Sequence, residues 1–166
     1  MKPTTLPVFD LVDHHGKKTS QEDFRGKWLL MFFGFTNCQV VCPRALGKLS
    51  QVLEELGPNA EEFVPLYVTV DPDRDTPEVL RDFLASAAPR FTGLTGAPDM
   101  IEDLRAAFNV SVKRTEDSSM PDGYTLPHTA FTYVIGPDGS YCTHLVDALE
   151  VSTMAQRIRA VLSNSP

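Results

Sequence analysis

The chain is short of cysteine, of long apolar runs and of positive charge, and each shortage narrows what it can be. Three cysteines in 166 residues are too few for a disulfide scaffold, and the number is odd. No apolar run approaches the roughly 20 residues that a membrane helix needs. The longest, Trp28 to Phe33, is strand-sized. The amino terminus, MKPTTLPVFDLVDHHGKK, lacks the apolar h-region of a signal peptide. Met1 therefore opens either a cytosolic protein or a chain from which an export signal or anchor is missing. Fifteen Lys and Arg against 22 Asp and Glu leave a formal net charge of −7. Without a basic patch, nucleic acid is not an expected partner. A basic docking partner is compatible with that charge. There is no repeat, low-complexity tract or linker, so residues 1–166 are expected to form one domain with its own core.

What is present is an alternation of strand and helix patterns. PVFDLVD alternates apolar and polar residues, as a half-buried strand does, and Gly16 turns it into KKTS to make a short hairpin. KWLLMFFGF is continuously apolar, the pattern of a strand buried on both faces. Pro43 suits the first turn of a helix in which Leu46, Leu49, Leu53 and Leu56 line one face, ending at Gly57-Pro58. EFVPLYVTVD is a second buried strand. Thr76 caps and Pro77 begins a helix with Val79, Leu80, Phe83 and Leu84 inward. FTGLTG reads as a short connector or strand. Pro98 opens a helix with Ile101, Leu104 and Phe108 on one face and Asn109 at its end.

Val112 to Leu126 is polar without a period, a loop or loose hairpin with few apolar anchors. The part from Lys113 onward is expected to be mobile. TAFTYVIGPDGSYCTHLVD is a hairpin about Pro137-Asp138-Gly139, and Leu149 to Leu162 is a final helix. The fold class is therefore α/β: a thioredoxin-like fold, with a mixed central β-sheet flanked by helices and an added amino-terminal β-hairpin.

Chemistry concentrates in FGFTNCQVVCPRALGKL, where Cys38 and Cys42 stand four apart between a central strand and a helix. Ligands of such sheets bind outside the carboxyl ends of the strands. The positive end of a helix favours thiolate, which is both nucleophile and metal ligand. Two sulfurs there can close as a disulfide or present soft ligands to one ion. A pair of small buried residues is the third reading.

Four histidines are candidates for a further ligand. His14 and His15, in the first hairpin turn, are expected to be solvated. His144 follows Cys142 by two in the last strand, so alternation puts both on one face. Cys142 itself is expected to point inward as a small structural residue. His128 follows Pro127 and immediately precedes TAFTYVI. It is either a hydrogen-bonded loop histidine or an imidazole near the two thiolates. In VDPDRDTP, Asp71 either supports the cysteine site from beside it, or is a docking contact, or belongs to a cap and turn cluster that shapes the following helix. Arg74 with Asp73 and Asp75 reads as local ion pairing.

Three blocks, FGFTNCQVVCPRALGKL, VTVDPDRDTPEVLRDF and PHTAFTYVIGPDG, resemble the signature blocks of the Sco/SenC family, and PVFDLVDHHGKKTSQEDFRGKWLL fits as well. The resemblance covers nearly the whole chain. It implies a copper-binding, metallochaperone-like protein that assists assembly of the CuA centre of cytochrome c oxidase. The ligands it implies are Cys38, Cys42 and His128. Its implied partners are the copper-bearing oxidase subunit or another copper chaperone. It also implies a membrane-anchored protein on the periplasmic side of a bacterial inner membrane. Two positions depart from the family pattern. Gln39 stands where proline is usual, and Pro127 where an acidic residue commonly precedes the histidine. The second removes a carboxylate that can orient an imidazole.

The donor set agrees with copper. Cu(I) prefers thiolates, and two cysteines with one histidine make a plausible trigonal set, whereas Cu(II) would call for a fourth ligand such as water. A structural zinc site needs four. The alternative function is a thiol–disulfide oxidoreductase acting through Cys38 and Cys42, which needs no histidine. Peroxidase chemistry with Arg44 near an activated thiolate fits a second cysteine less well.

Overall fold

The computed structural model describes residues 5–36, 41–110, 112–113, 115–116, 118, 124–125, 131–146 and 148–163, with backbone alone at 41–43 and 124–125. In chain order the strands are β1 (Asp10–Asp13), β2 (Lys18–Ser20), β3 (Trp28–Gly34), β4 (Phe63–Thr69), β5 (Thr92–Thr95), β6 (Thr115–Glu116), β7 (Tyr124–Thr125), β8 (Phe131–Ile135) and β9 (Tyr141–Val146). The helices are α1 (Val41–Leu56), α2 (Pro77–Ala87), α3 (Pro98–Ala107) and α4 (Val151–Ser163). Short 3₁₀ turns fill Gln21–Phe24 and Gly57–Glu62.

Seven strands form one mixed sheet in the order β2-β1-β5-β4-β3-β8-β9. Its centre, β5-β4-β3, is parallel, and β1, β8 and β9 join antiparallel. β3 is buried along all seven residues. Because strand side chains alternate, it supplies two cores at once. Trp28, Leu30 and Phe32 meet Leu46, Leu49, Val52 and Leu53 of α1, with Leu80 and Leu84 of α2 and Met154 and Ile158 of α4. Leu29, Met31 and Phe33 face the other way, onto Phe9, Leu11, Ile101, Leu104 and Phe108. Burying each such side chain is worth about 1.5–3 kcal/mol. The continuous apolar run is thus the trace of one strand serving two layers.

The helices follow their sequence signals closely. Thr76 Oγ1 accepts the Val79 amide at 3.3 Å and caps α2. Asn109, past the end of α3, takes a left-handed φ of 56°. α1 ends at Leu56 as expected, and the chain continues into a 3₁₀ turn instead of stopping. Val79 departs from expectation: it is 39% exposed, because only Leu80 and Leu84, one turn apart, face the sheet squarely, with Phe83 at their flank. Within Val112 to Leu126, β6 pairs antiparallel with β7, so the loose-hairpin reading of this stretch holds for those residues. Most of Lys113 to Leu126, on which the expected mobility falls, lies outside the described residues.

The amino-terminal hairpin is present and attaches through β1 to β5 (Val12 opposite Thr95, Asp13 opposite Leu94). Asp13 closes its turn by accepting the amides of His15 at 2.9 Å and Lys17 at 3.0 Å. His14 was expected to be solvated and is not. It is half-buried, and its Nδ1 accepts the Gly93 amide of β5 at 2.9 Å. Only a nitrogen without a proton can accept that bond. Burial, followed by the charge of His15, pulls the His14 imidazole below its ordinary value of 6.5. The folded state therefore favours the neutral ring. The stability this gives is present above pH 6.5 and is lost as pH falls toward the lower folded value. Thermal unfolding at pH 7.5 and 5.5 is expected to show an acid-side loss of stability that shrinks in His14→Gln; an unchanged difference would count against this coupling.

Candidate metal centre

The carboxyl end of β3 sets the location. Beyond Gly34, Phe35 is buried and Thr36 is half-buried. Cys38 follows two residues later and lies outside the described residues. α1 starts at Val41, which places Cys42 by its backbone as the second residue of that helix. Amides of a first helical turn have no partner within the helix, and the helix field there stabilises negative charge such as a thiolate. The position of the Cys42 sulfur is not among the described features. β8 runs antiparallel to β3, with Thr132 opposite Phe32. The chain therefore enters β8 at the end of the sheet where it leaves β3. His128 precedes Phe131 by three residues in sequence and lies outside the described residues, as do Gln39 and Pro127. The topology thus brings the described residues that flank these positions, Thr36, the start of α1 and Phe131, toward one end of the sheet; the side chains of Cys38, Cys42 and His128 are not among the described features.

A buried carboxylate fastens the segment before the cysteines. Thr36 donates its amide to Asp75 Oδ2 at 3.0 Å and its hydroxyl to Oδ1 at 2.6 Å. Thr69, the last residue of β4, donates its hydroxyl to Oδ2 at 2.6 Å. Thr95, the last residue of β5, donates its hydroxyl to the Asp75 carbonyl at 2.9 Å. Asp75, Thr69 and Thr95 are all buried. A carboxylate out of water is costly unless it is hydrogen-bonded, and here three donors meet it. Burial still pushes the Asp75 carboxyl above its usual range, against the pull of the Thr36 and Thr69 bonds and with a small push from Asp71.

Sequence reasoning read Asp75 as a local partner of Arg74, and that is a correction. Arg74 Nε instead pairs with Asp71 Oδ2, and its guanidinium carbon lies 5.9 Å from the Phe35 ring centroid. Asp71 is buried, accepts the amides of Arg74 and Asp75 through its carbonyl, and donates its own amide to the Thr69 hydroxyl oxygen. The turn-cluster reading of Asp71 is thus realised. The role of Asp75 was missed because its partners are far away in sequence. The one available signal is a threonine at or near the end of each of three apolar stretches, Thr36, Thr69 and Thr95, with an aspartate in the turn after the second.

The second candidate ligand pair does not form. β9 pairs Thr143 with Val134 and Tyr141 with Ile135, leaving Cys142 without an opposing residue. This β-bulge breaks the alternation. Tyr141 and His144 come onto one face instead, with the Tyr141 hydroxyl 2.5 Å from His144 Nδ1. Cys142 was expected inward; the bulge turns it outward, where it is an exposed free thiol 3.5 Å from the Ser140 carbonyl. Among the described residues no group of three or more His, Cys, Asp and Glu side chains converges on a point. Arg44 is exposed on α1.

Partial burial, and then the Asp138 charge, raise the Cys142 thiol above its ordinary value of 9.0. In a Cys38→Ala/Cys42→Ala double variant, the rate of alkylation by iodoacetamide is therefore expected to rise with pH through a midpoint above 9.0. A midpoint well below that value would show that the environment of Cys142 is misread.

The comparisons with known proteins follow the same outline. A SCO1/SenC family model matches residues 2–163. A SCO2-like protein of Rickettsia prowazekii is 37% identical over 136 residues, which is 82% of this chain and 66% of that protein. The mitochondrial SCO1 homolog of Homo sapiens is 34% identical over 142 residues, 84% of this chain and 47% of that protein. The chain thus spans between about half and two thirds of the length of these two curated relatives. A crystal structure of yeast Sco1 with copper bound superposes with a TM-score of 0.90 at 28% identity, covering 99% of this chain and 91% of that one. With the family model matched over nearly its whole length, and with the mixed sheet and helix arrangement of a solved Sco structure, the chain belongs to the SCO1/SenC family.

Proposed function

We propose that this protein binds copper and assists assembly of the CuA centre of cytochrome c oxidase, with Cys38, Cys42 and His128 as the copper ligands. The observation that supports the reading is the meeting of the carboxyl end of β3, the start of α1 and the start of β8 at one end of the sheet, the three points that Cys38, Cys42 and His128 adjoin in sequence. The donor chemistry fits: two thiolates and an imidazole suit Cu(I), and a water or a further oxygen would complete a site for Cu(II). The copper-bound state of the similar yeast protein supports the same cargo. Copper is here the cargo that is held and handed on. The oxidase role, the copper-bearing oxidase subunit or another copper chaperone as partner, and a membrane-anchored place on the periplasmic side of a bacterial inner membrane all rest on the resemblance of the three sequence blocks. No helix among the described residues is long and apolar enough to cross a membrane. Residues 1–166 are read as one domain, supported by the single seven-stranded sheet and the match over 2–163.

A second reading uses the same pair as a thiol–disulfide reductase of partner cysteines. The place of Cys42 in the first turn of α1 favours it, since the helix field stabilises a thiolate. The two readings join in one chemical relation: the dithiol can hold copper and the disulfide cannot. His128 separates them, because dithiol exchange does not require it.

Anaerobic titration of the reduced protein with Cu(I) is expected to give one tight copper per chain. Cys38→Ala, Cys42→Ala and His128→Ala are each expected to weaken binding at least about tenfold. Unchanged Cu(I) and Cu(II) binding in His128→Ala would remove the histidine from the site. Rapid reduction of a partner disulfide by protein that binds no copper would favour the reductase.

A further inference from the structure

Phe35 and Thr36 carry the chain from β3 to Cys38, and both are gripped by the turn at residues 71–75. Arg74 lies over the Phe35 ring. Thr36 gives both its donors to the two oxygens of one carboxylate, that of Asp75, 39 residues away in sequence. The same carboxylate takes Thr69 from the end of β4, and the Asp75 carbonyl takes Thr95 from the end of β5. One residue therefore ties together the carboxyl ends of three neighbouring strands, β3, β4 and β5. Asp75 is fully buried, so a broken bond there is not replaced by water. Two donors from one residue fix both the position and the rotation of the Thr36 backbone, in a way a single bond would not.

We propose that Asp75, through Thr36, is the positioning residue of the cysteine turn: the clamp presets the backbone from which Cys38 and Cys42 present their sulfurs. This rests on the copper reading for its metal consequence, but not for its thiol consequence. A ligand pair held from a rigid support loses little freedom on taking up a metal; a pair on a loosened turn must be ordered at that moment. The clamp therefore slows release of Cu(I). It also sets the balance between dithiol and disulfide, because closing a disulfide demands its own backbone geometry.

Thr36→Val removes the hydroxyl bond at nearly constant volume, and Thr36→Ser restores a donor. Asp75→Asn keeps the size but changes one oxygen into a donor. Leu104→Ala, in the core of the opposite layer, serves as a variant that lowers the melting temperature without touching the turn. Two readouts are followed. The first is the rate at which Cu(I) passes from loaded protein to a Cu(I) chelator. The second is the equilibrium in which the Cys38–Cys42 dithiol and glutathione disulfide give the intramolecular disulfide and two reduced glutathiones.

Thr36→Val and Asp75→Asn are expected to speed copper loss about tenfold and to shift the glutathione equilibrium several-fold, while Thr36→Ser and Leu104→Ala stay within about twofold of the parent. If Thr36→Val and Asp75→Asn alter both readouts no more than Leu104→Ala does at matched loss of melting temperature, Asp75 only stabilises the fold and the proposal is wrong. If the parent itself binds no copper, the copper reading falls, and the glutathione equilibrium alone decides the role of Asp75.

Discussion

Burial of β3 on both faces is the constraint from which the remaining structure follows. A strand that feeds two cores cannot shift along its neighbours by one residue, because every side chain would change layers. Its register with β4 and β8 is thereby fixed, and so is the point at which the chain leaves the sheet after Gly34. The site needs that exit to be fixed. In sequence, Cys38 and Cys42 follow that exit and His128 precedes β8, so the proposed copper site depends on it. Packing of Leu46, Leu49 and Leu53 then holds α1 against the sheet, and Lys48 reaches across to the Leu149 carbonyl while Arg159 of α4 reaches the Glu55 carbonyl. The helix whose first turn contains Cys42 is thus braced along its length.

Hydrophobic packing places the turn only as well as strands can be placed; the last adjustment is polar. A carboxylate fully out of water is normally a liability. It is tolerated at Asp75 because Thr36 and Thr69 give it three donors from two strand ends. Hydrogen bonds are directional where hydrophobic contact is not, so this cluster specifies an orientation that the core leaves loose. Ion pairing of Arg74 with Asp71 occupies the neighbouring charges, which keeps the Asp75 carboxylate for the threonines.

Much of the fold was legible because its signals are local. Thr76-Pro77 marks a helix start wherever it occurs, Asn109 marks an end, and an apolar run as long as Trp28 to Gly34 has few homes outside a covered sheet. The strand before the cysteine pair and the leucine-spaced helix after it were legible for the same reason. What escaped was set by register or by distance. Asp75 looks like one charge among several until Thr36 folds onto it from 39 residues away. Cys142 and His144 share a face in an ideal strand, and only pairing with β8 shows the extra residue that separates them. His14 looks like a turn residue until β5 arrives with an amide to donate.

The amino-terminal hairpin has a consequence beyond its packing. Without it, β5 would be the outermost strand, and its unpaired N–H and C=O groups would offer a template for strands of other molecules. β1 covers that row, and β2, which then becomes the border, is only three residues long. At the opposite border, β9 carries the bulge at Cys142, which interrupts the regular ladder a stray strand would have to match. Both borders of the sheet are thus poor sites for adding strands.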